Sequence, residues 1–224
     1  MTKLYSNNAI LKVGDYHLEN NAWGIDDPLP PQSVSGPPDH SIGWQWDWPT
    51  GSVDRVLAYP EIIYGKKPFN KSATTAALPR AIGELNTLNV DLSFHISANG
   101  AYNTAFDLWI TNSSVAAQSD ITAEVMIWLS TDGLTPAGSR GHAVNIPGGC
   151  SSFHRGKMQN WDYFAFVLNQ SITEGNVDLK PYLDFLVRED AVSSDQFLAS
   201  VEFGNEIAFG RGSTSLLLYS VDCS

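Results

Sequence analysis

Three short segments of the chain carry acidic residues out of step with the apolar residues around them. In Ala105-Phe106-Asp107-Leu108-Trp109-Ile110 the apolar phase is Phe106, Leu108 and Ile110, and the other phase holds Asp107 and Trp109. In Glu124-Val125-Met126-Ile127-Trp128-Leu129, Val125, Ile127 and Leu129 oppose Glu124, Met126 and Trp128. In Val201-Glu202-Phe203-Gly204-Asn205-Glu206-Ile207, Val201, Phe203 and Ile207 share a face that Asn205 interrupts, with Glu202 and Glu206 opposite. Side chains of a strand alternate with a period of two, so these faces follow from backbone geometry once the segments are extended. An ordinary solvent face carries Lys, Thr and Ser, whereas carboxylates beside Trp and Met suit a cleft that grips sugar rings. Cleaving a glycosidic bond needs two carboxyl groups flanking it, one to protonate the departing oxygen and one to attack the sugar carbon or activate water. With 24 acidic residues in the chain a pair alone says little, and the out-of-phase placement is what selects Glu124, Glu206 and Asp107. The pattern leaves open that these acids are solvent-facing strand residues, as most charged residues are.

The elements that would position these acids are strands. Gly14-Asp15 separates two early runs as a hairpin turn would, and the segments 92–96, 106–110, 124–129, 163–168, 201–207 and 215–221 complete a strand-rich set. The proline-rich stretches 27–31 and 35–39 read as loops, because Pro supplies no ladder donor, and Gly148-Gly149 reads as a turn. Trp44, Trp46 and Trp48 alternate at period two, either as a platform for sugar rings or as an exposed hairpin anchored by aromatics. One segment reads as helix, with Asp178 as N-cap, Pro181 in the first turn, and Leu179, Tyr182, Leu183 and Leu186 along one face. Many strands, one late helix and no internal repeat predict an all-β chain: a two-sheet antiparallel jelly-roll sandwich with one helix packed on it, and a single domain over residues 1–224.

Composition narrows the function classes. A net charge of −11 argues against nucleic acid and anionic membrane surfaces as partners. The histidines, His17, His40, His95, His142 and His154, show no metal-ligand spacing, and neither a GxSxG elbow nor a Cys-x-x-Cys pair occurs, so no metal or cofactor is expected. Cys150 and Cys223 cannot be assigned as paired or free from sequence. No apolar run approaches transmembrane length, and the start lacks the apolar core of a signal peptide. We expect a mature form of a secreted, monomeric polymer-degrading enzyme. Trp109, Trp128 and Trp46 are expected sugar contacts, although Trp109 and Trp128 could also be core aromatics.

Several of these segments resemble glycoside hydrolase family 12, the small jelly-roll endoglucanases and xyloglucanases. Asn20-Asn-Ala-Trp-Gly, Ala58-Tyr-Pro, Ala105-Phe-Asp-Leu-Trp, Glu124-Val-Met-Ile-Trp-Leu, Pro136-Ala-Gly-Ser, Trp161-Asp-Tyr-Phe-Ala-Phe-Val and Val201-Glu-Phe-Gly-Asn-Glu resemble the family's motifs in order over nearly the whole chain. The resemblance implies a retaining endo-β-1,4-glucanase with Glu124 as nucleophile, Glu206 as general acid/base and Asp107 hydrogen-bonded to the nucleophile. It also implies that Asn21 and Trp23 bind sugar on the non-reducing side, and that Met126 and Glu202 line the cleft near the catalytic pair. Ile42-Gly-Trp-Gln-Trp-Asp-Trp-Pro is similar to bacterial xyloglucan-active members, which makes xyloglucan the expected substrate. A glucanase for unbranched cellulose or mixed-linkage glucan and a non-catalytic carbohydrate-binding sandwich are the alternatives. Three departures stand out: Phe106 in place of a Tyr, expected to remove a hydroxyl beside the site; Lys66-Lys67 in place of aromatics, expected to thin the aromatic platform; and Cys150 where relatives often have a Trp.

Overall fold

Runs that alternate apolar and polar residues, broken by Gly, Pro and Asn, fold into fifteen strands among the described residues. The computed structural model describes residues 2–25, 31–37, 41–142, 144–147 and 149–224. The strands are β1 Thr2–Leu4, β2 Ile10–Val13, β3 Tyr16–Glu19, β4 Gln32–Gly36, β5 Ile42–Trp48, β6 Glu61–Gly65, β7 Arg80–Ala81, β8 Leu88–Thr111 and β9 Ile121–Asp132. They continue with β10 Ser139–Arg140, β11 Cys150–Met158, β12 Trp161–Leu168, β13 Glu174–Asp178, β14 Phe197–Gly204 and β15 Ile207–Cys223, and one helix, α1 Lys180–Arg188, follows β13. Gly14, at φ +57°, turns β2 into β3 as the hairpin reading requires.

Pairing arranges the strands in two layers. One runs β1-β4-β5-β15-β8-β13, and the other runs β10-β11-β12-β9-β8-β14-β6-β3-β2. The expected two-sheet sandwich is therefore what forms, with two refinements. The pair β9 and β12 is parallel where all pairs were expected antiparallel. The segments 92–96 and 106–110, read as separate strands, are two ends of β8, whose 24 residues serve both layers. Its first half pairs with β15 and β13, and its second half with β9 and β14. At the change of layer Gly100 lies opposite Gly210. Both have positive φ, and an added Cβ would lie 2.3 Å from the Phe209 carbonyl oxygen at Gly100 and 2.0 Å from that of Asn99 at Gly210. Only glycine fits where the two backbones come so close.

The layers close on one apolar core. Phe203 of β14 meets Trp44 of β5, Phe94 of β8 and Phe106 of β8, with ring centroids 6.3, 5.2 and 5.1 Å away. The residues Phe106, Leu108, Ile110, Val125, Ile127 and Val201 are all fully buried in this core, as their phase predicts. Helix α1 covers the inner face of β11 and β12, where Tyr182 and Phe185 pack on Phe166 and Phe153. Its N-cap is Leu179 rather than Asp178. Leu179 is drawn into the core with its N–H on the Leu88 carbonyl, and Asp178 Oδ1 accepts the Lys180 N–H at 3.0 Å instead.

Trp44, Trp46 and Trp48 form neither platform nor exposed hairpin. All three are buried between the layers, because β5 turns that phase inward. The loop reading at 35–39 also needs correction, since Ser35 and Gly36 belong to β4. The rest of both proline-rich stretches, apart from Pro31 and Pro37, lies outside the described residues, as do His40 and Gly148. Cys150 and Cys223 are free thiols. Among the described residues no helix is long and apolar enough to cross a membrane. Gly100→Ala is expected to lower unfolding free energy by about 2 kcal/mol or more, from left-handed strain and the backbone clash. Urea denaturation measures this, and an unchanged midpoint would refute the account of the bend.

Candidate active site

The outer face of the larger layer is concave and carries a cleft of about 1240 Å³. Strand register sets its floor. Tyr163 and Trp109 flank Glu124, Asp107 lies between Met126 and Glu202, and Glu61 lies between Gly204 and Glu19. Because each of these strands turns its apolar phase to the core, its carboxyl phase can face only the cleft. Arg55 Nη2 donates to the Gly24 carbonyl at 2.7 Å and ties the loop around residues 53–56 to the one bearing Trp23. Leu134, Thr135 and Ala137 line the cleft from another loop.

Glu124 and Glu206 both line this cleft and are half-buried. Trp161 Nε1 donates to Glu124 Oε2 at 2.8 Å. Burial pushes the Glu124 carboxyl up to about 7, against the opposing effect of the Trp161 bond. Glu206 is gripped by Asn103, whose Nδ2 donates to Oε2 at 2.5 Å and whose Oδ1 accepts the Glu206 N–H at 2.8 Å. Burial, and then the charge of Glu124, push Glu206 up to about 8. Asp107 is buried and also raised well above the ordinary carboxylate range, by burial first and then by Glu124. Both carboxyls line one cleft, each raised by burial, and Glu206 feels the repulsion of Glu124 in addition. Such a pair can supply one proton donor and one anion at the same pH.

Glu206 does not sit on a strand, as the sequence pattern assumed. It lies in the break between β14 and β15, where the chain passes from one layer to the other. Asn205 holds that break. Its Nδ2 donates to the Asn103 carbonyl and to Thr104 Oγ1, and its Oδ1 accepts from Trp44 Nε1 and Thr214 Oγ1. Asn205 is fully buried yet completely bonded, so a polar residue on the apolar face is tolerated there.

Of the other expected residues, Asn21, Trp23, Trp109, Met126, Trp128 and Glu202 all line the cleft. Trp23 is 61% exposed at its rim. Trp109 Nε1 donates to Glu202 Oε2 at 3.3 Å, and Met126 Sδ accepts from Tyr163 and Trp128. Trp46 is the exception. Its indole lies against Gly212 and Tyr102 inside the sandwich, away from this cleft. Phe106 likewise faces the core, so its missing hydroxyl is not beside the site. Beside Lys66-Lys67, where a thinner aromatic platform was expected, one aromatic residue does reach the cleft. Phe69, two residues on, packs edge-on against Trp109 at 5.2 Å and reaches Trp161 at 6.4 Å. The residues Asn103, Trp161, Tyr163, Glu61, Lys67 and Phe69 were not selected from the sequence. Trp161 and Tyr163 sit in a motif already singled out, Lys67 was noted only as a departure from aromatics, and Asn103 gave no local signal. Among the described residues no three His, Cys, Asp or Glu side chains are placed to hold a metal ion.

The family model described as Glycosyl hydrolase family 12 matches residues 14–223. The chain is 29% identical to Endoglucanase S of Pectobacterium parmentieri, over 98% of this chain and 84% of that protein. It is 25% identical to xyloglucan-specific endo-beta-1,4-glucanase A of Emericella nidulans, over 95% of this chain and 87% of that protein. The solved structure of the native family 12 xyloglucanase from Bacillus licheniformis superposes with a TM-score of 0.91 at 27% identity, covering 100% of both chains.

Proposed function

We propose, from the premise that the chain belongs to glycosyl hydrolase family 12 and is an endo-acting β-1,4-glucan hydrolase, that it cleaves xyloglucan by a retaining mechanism on Glu124 and Glu206. The observation that carries the reading is the contrast between these two carboxyls in one cleft: the Trp161 bond favours the anion of Glu124, while burial and the charge of Glu124 keep the proton on Glu206. In the first step Glu124 attacks the anomeric carbon while Glu206 gives its proton to the leaving oxygen. In the second, Glu206 takes a proton from the water that releases the glycosyl-enzyme. Asp107, beside Glu124 and itself inclined to be protonated, serves as a donor to the nucleophile. The scheme calls on no metal or cofactor.

Sugar rings would lie on the Phe69, Trp109 and Trp161 cluster and against Trp23, with Asn21, Met126, Trp128 and Glu202 lining the rest. The relatives from Emericella nidulans and Bacillus licheniformis, both named for xyloglucan, support that substrate; the tryptophans of β5, being buried, no longer do. A non-catalytic carbohydrate-binding sandwich would use the aromatics but has no need of the Asn103 grip on Glu206. We place the enzyme outside the cell, acting as a monomer, where it would meet plant polymers.

Glu124→Gln is expected to leave fold and glycan affinity nearly intact and remove most of the turnover, since the amide cannot form the covalent intermediate. Asp107→Asn should cost less. Turnover near wild type in a purified Glu124→Gln protein would contradict the nucleophile role.

The pH profile of kcat/KM should be a bell. Its basic limb falls near pH 8, as Glu206 loses the proton it must donate, and its acidic limb falls as Glu124 gains a proton that blocks attack. A rate still rising above pH 9 would remove Glu206 from the acid role.

Branches remote from the scissile bond add binding energy that the transition state can use. We expect kcat/KM on xyloglucan to exceed that on carboxymethylcellulose by at least about tenfold, or about 1.4 kcal/mol. Because both the polymer and this chain are negatively charged, neutral mixed-linkage β-glucan serves as the second comparator. Equal or better hydrolysis of the unbranched polymers would leave a general endoglucanase.

A further inference from the structure

One buried cation stands among the carboxyl groups of the cleft floor. Lys67 is 4% exposed, and its Nζ lies 3.2 Å from Glu19 Oε2 and 2.5 Å from Glu61 Oε1. Burial opposes its charge, but Glu61, Glu202 and Glu19 outweigh that and keep it an ammonium well beyond the ordinary lysine range. Glu61 Oε1 also accepts from Asn21 Nδ2 at 3.0 Å, whereas Glu61 Oε2 is buried with no N–H or hydroxyl donor. The partner left to it is Glu202, with which Glu61 shares a hydrogen bond when one of the two holds a proton. Glu202 takes Ser200 Oγ at 2.8 Å and Trp109 Nε1 at 3.3 Å, and lies opposite Asp107 in the β8–β14 register. Asp107 Oδ1 is again buried without a donor, and after burial the charge of Glu124 acts on it most strongly. The row therefore runs Lys67, Glu61, Glu202, Asp107, Glu124.

We propose that Lys67 is a positioning residue for the reaction: acting through Glu61 and Glu202, it sets how much negative charge Asp107 carries beside Glu124. Carboxyls this deeply buried would each take a proton if left alone. A fixed positive charge at one end keeps part of the row ionised, so the proton shared along it is not driven onto Glu124. The other titratable groups facing the row do not compete. The phenols of Tyr59 and Tyr163 are raised well above their ordinary range by burial and then by the surrounding carboxylates, so they stay neutral. His17, on the same strand as Glu19, is held down by burial and by Lys12. Glu206, across the break after β14, adds negative charge to Asp107 and Tyr59.

This inference rests on the assignment of Glu124 and Glu206 above. Its test is the pH profile of kcat/KM on a neutral aryl β-1,4-gluco-oligosaccharide, measured for Lys67→Met, Lys67→Arg and Glu61→Gln. Removing the cation should move the acidic limb up by about half a pH unit or more, and removing the anion should move it down. Lys67→Arg, which keeps the charge, should stay near wild type. Opposite displacements are what a packing defect cannot produce. Glu61→Gln is nearly isosteric, so it carries the test by itself if Lys67→Met does not fold. An unmoved limb in Glu61→Gln, or movement of both variants in one direction, overturns the proposal. If Glu124→Gln retains turnover, the assignment of the pair has failed instead. An inactive Glu124→Gln together with unmoved limbs removes only the role of Lys67.

Discussion

Gathering six carboxyl groups, Glu19, Glu61, Asp107, Glu124, Glu202 and Glu206, in and beneath one cleft floor is the constraint that organises this molecule. Burial disfavours the charged form of Glu61, Asp107, Glu124, Glu202 and Glu206, and adjacent strands set Glu19 beside Glu61 and Asp107 beside Glu202. The structure meets this cost without a matching set of cations. Neutral donors do most of the work: the indoles of Trp161 and Trp109, the carboxamides of Asn103, Asn21 and Asn70, and the hydroxyl of Ser200. An indole there serves two ends, since its N–H binds a carboxylate while its ring offers a flat apolar surface. The proposed chemistry of the floor and its proposed hold on sugar thus draw on the same side chains.

The site is inseparable from the sandwich for a geometric reason. Each floor strand has only two faces, and the one away from the cleft is filled by the core. A register slip of one residue on β9 or β14 would place Glu124 or Glu202 in that core. Glu206 has no strand of its own, and its position comes from Asn103 and from Asn205, a polar pin through the apolar layer. Asn205 binds Trp44 and Thr214 of one layer and Asn103 and Thr104 at the edge of the other. The groups around the reacting centre therefore inherit the rigidity of the core.

Much of this was legible in the sequence because it depends on local phase. Asp107, Glu124 and Glu202 could be placed on one face by counting residues in twos, and the apolar residues between them were core for the same reason. What failed was not local. Trp44, Trp46 and Trp48 share a face, but the sequence does not say whether that face meets solvent, a ligand or another sheet. That choice depends on β15, more than 150 residues away, pairing with β5. Two halves of β8 read as two strands because nothing in the run announces that a single strand can serve two layers. Asn103 was invisible for a related reason, and Lys67 stood out only as a departure whose role could not be read. Their meaning lies in contacts with Glu19, Glu61 and Glu206, which only the closed fold creates.

The place of β15 has a further consequence. The last strand of the chain, Ile207–Cys223, is not at an edge; it lies between β5 and β8 in the middle of its layer. Until it is in place, β5 and its three tryptophans have no hydrogen-bonded link to β8, and Phe203 lacks Tyr219 against its ring. The sandwich therefore cannot shut until Ile207–Cys223 has joined it. Closure is dominated by pairings remote in sequence, which makes it slow. A chain cut before Ile207 would keep the strands of both layers yet lose the hydrogen-bonded link of β1, β4 and β5 to the rest.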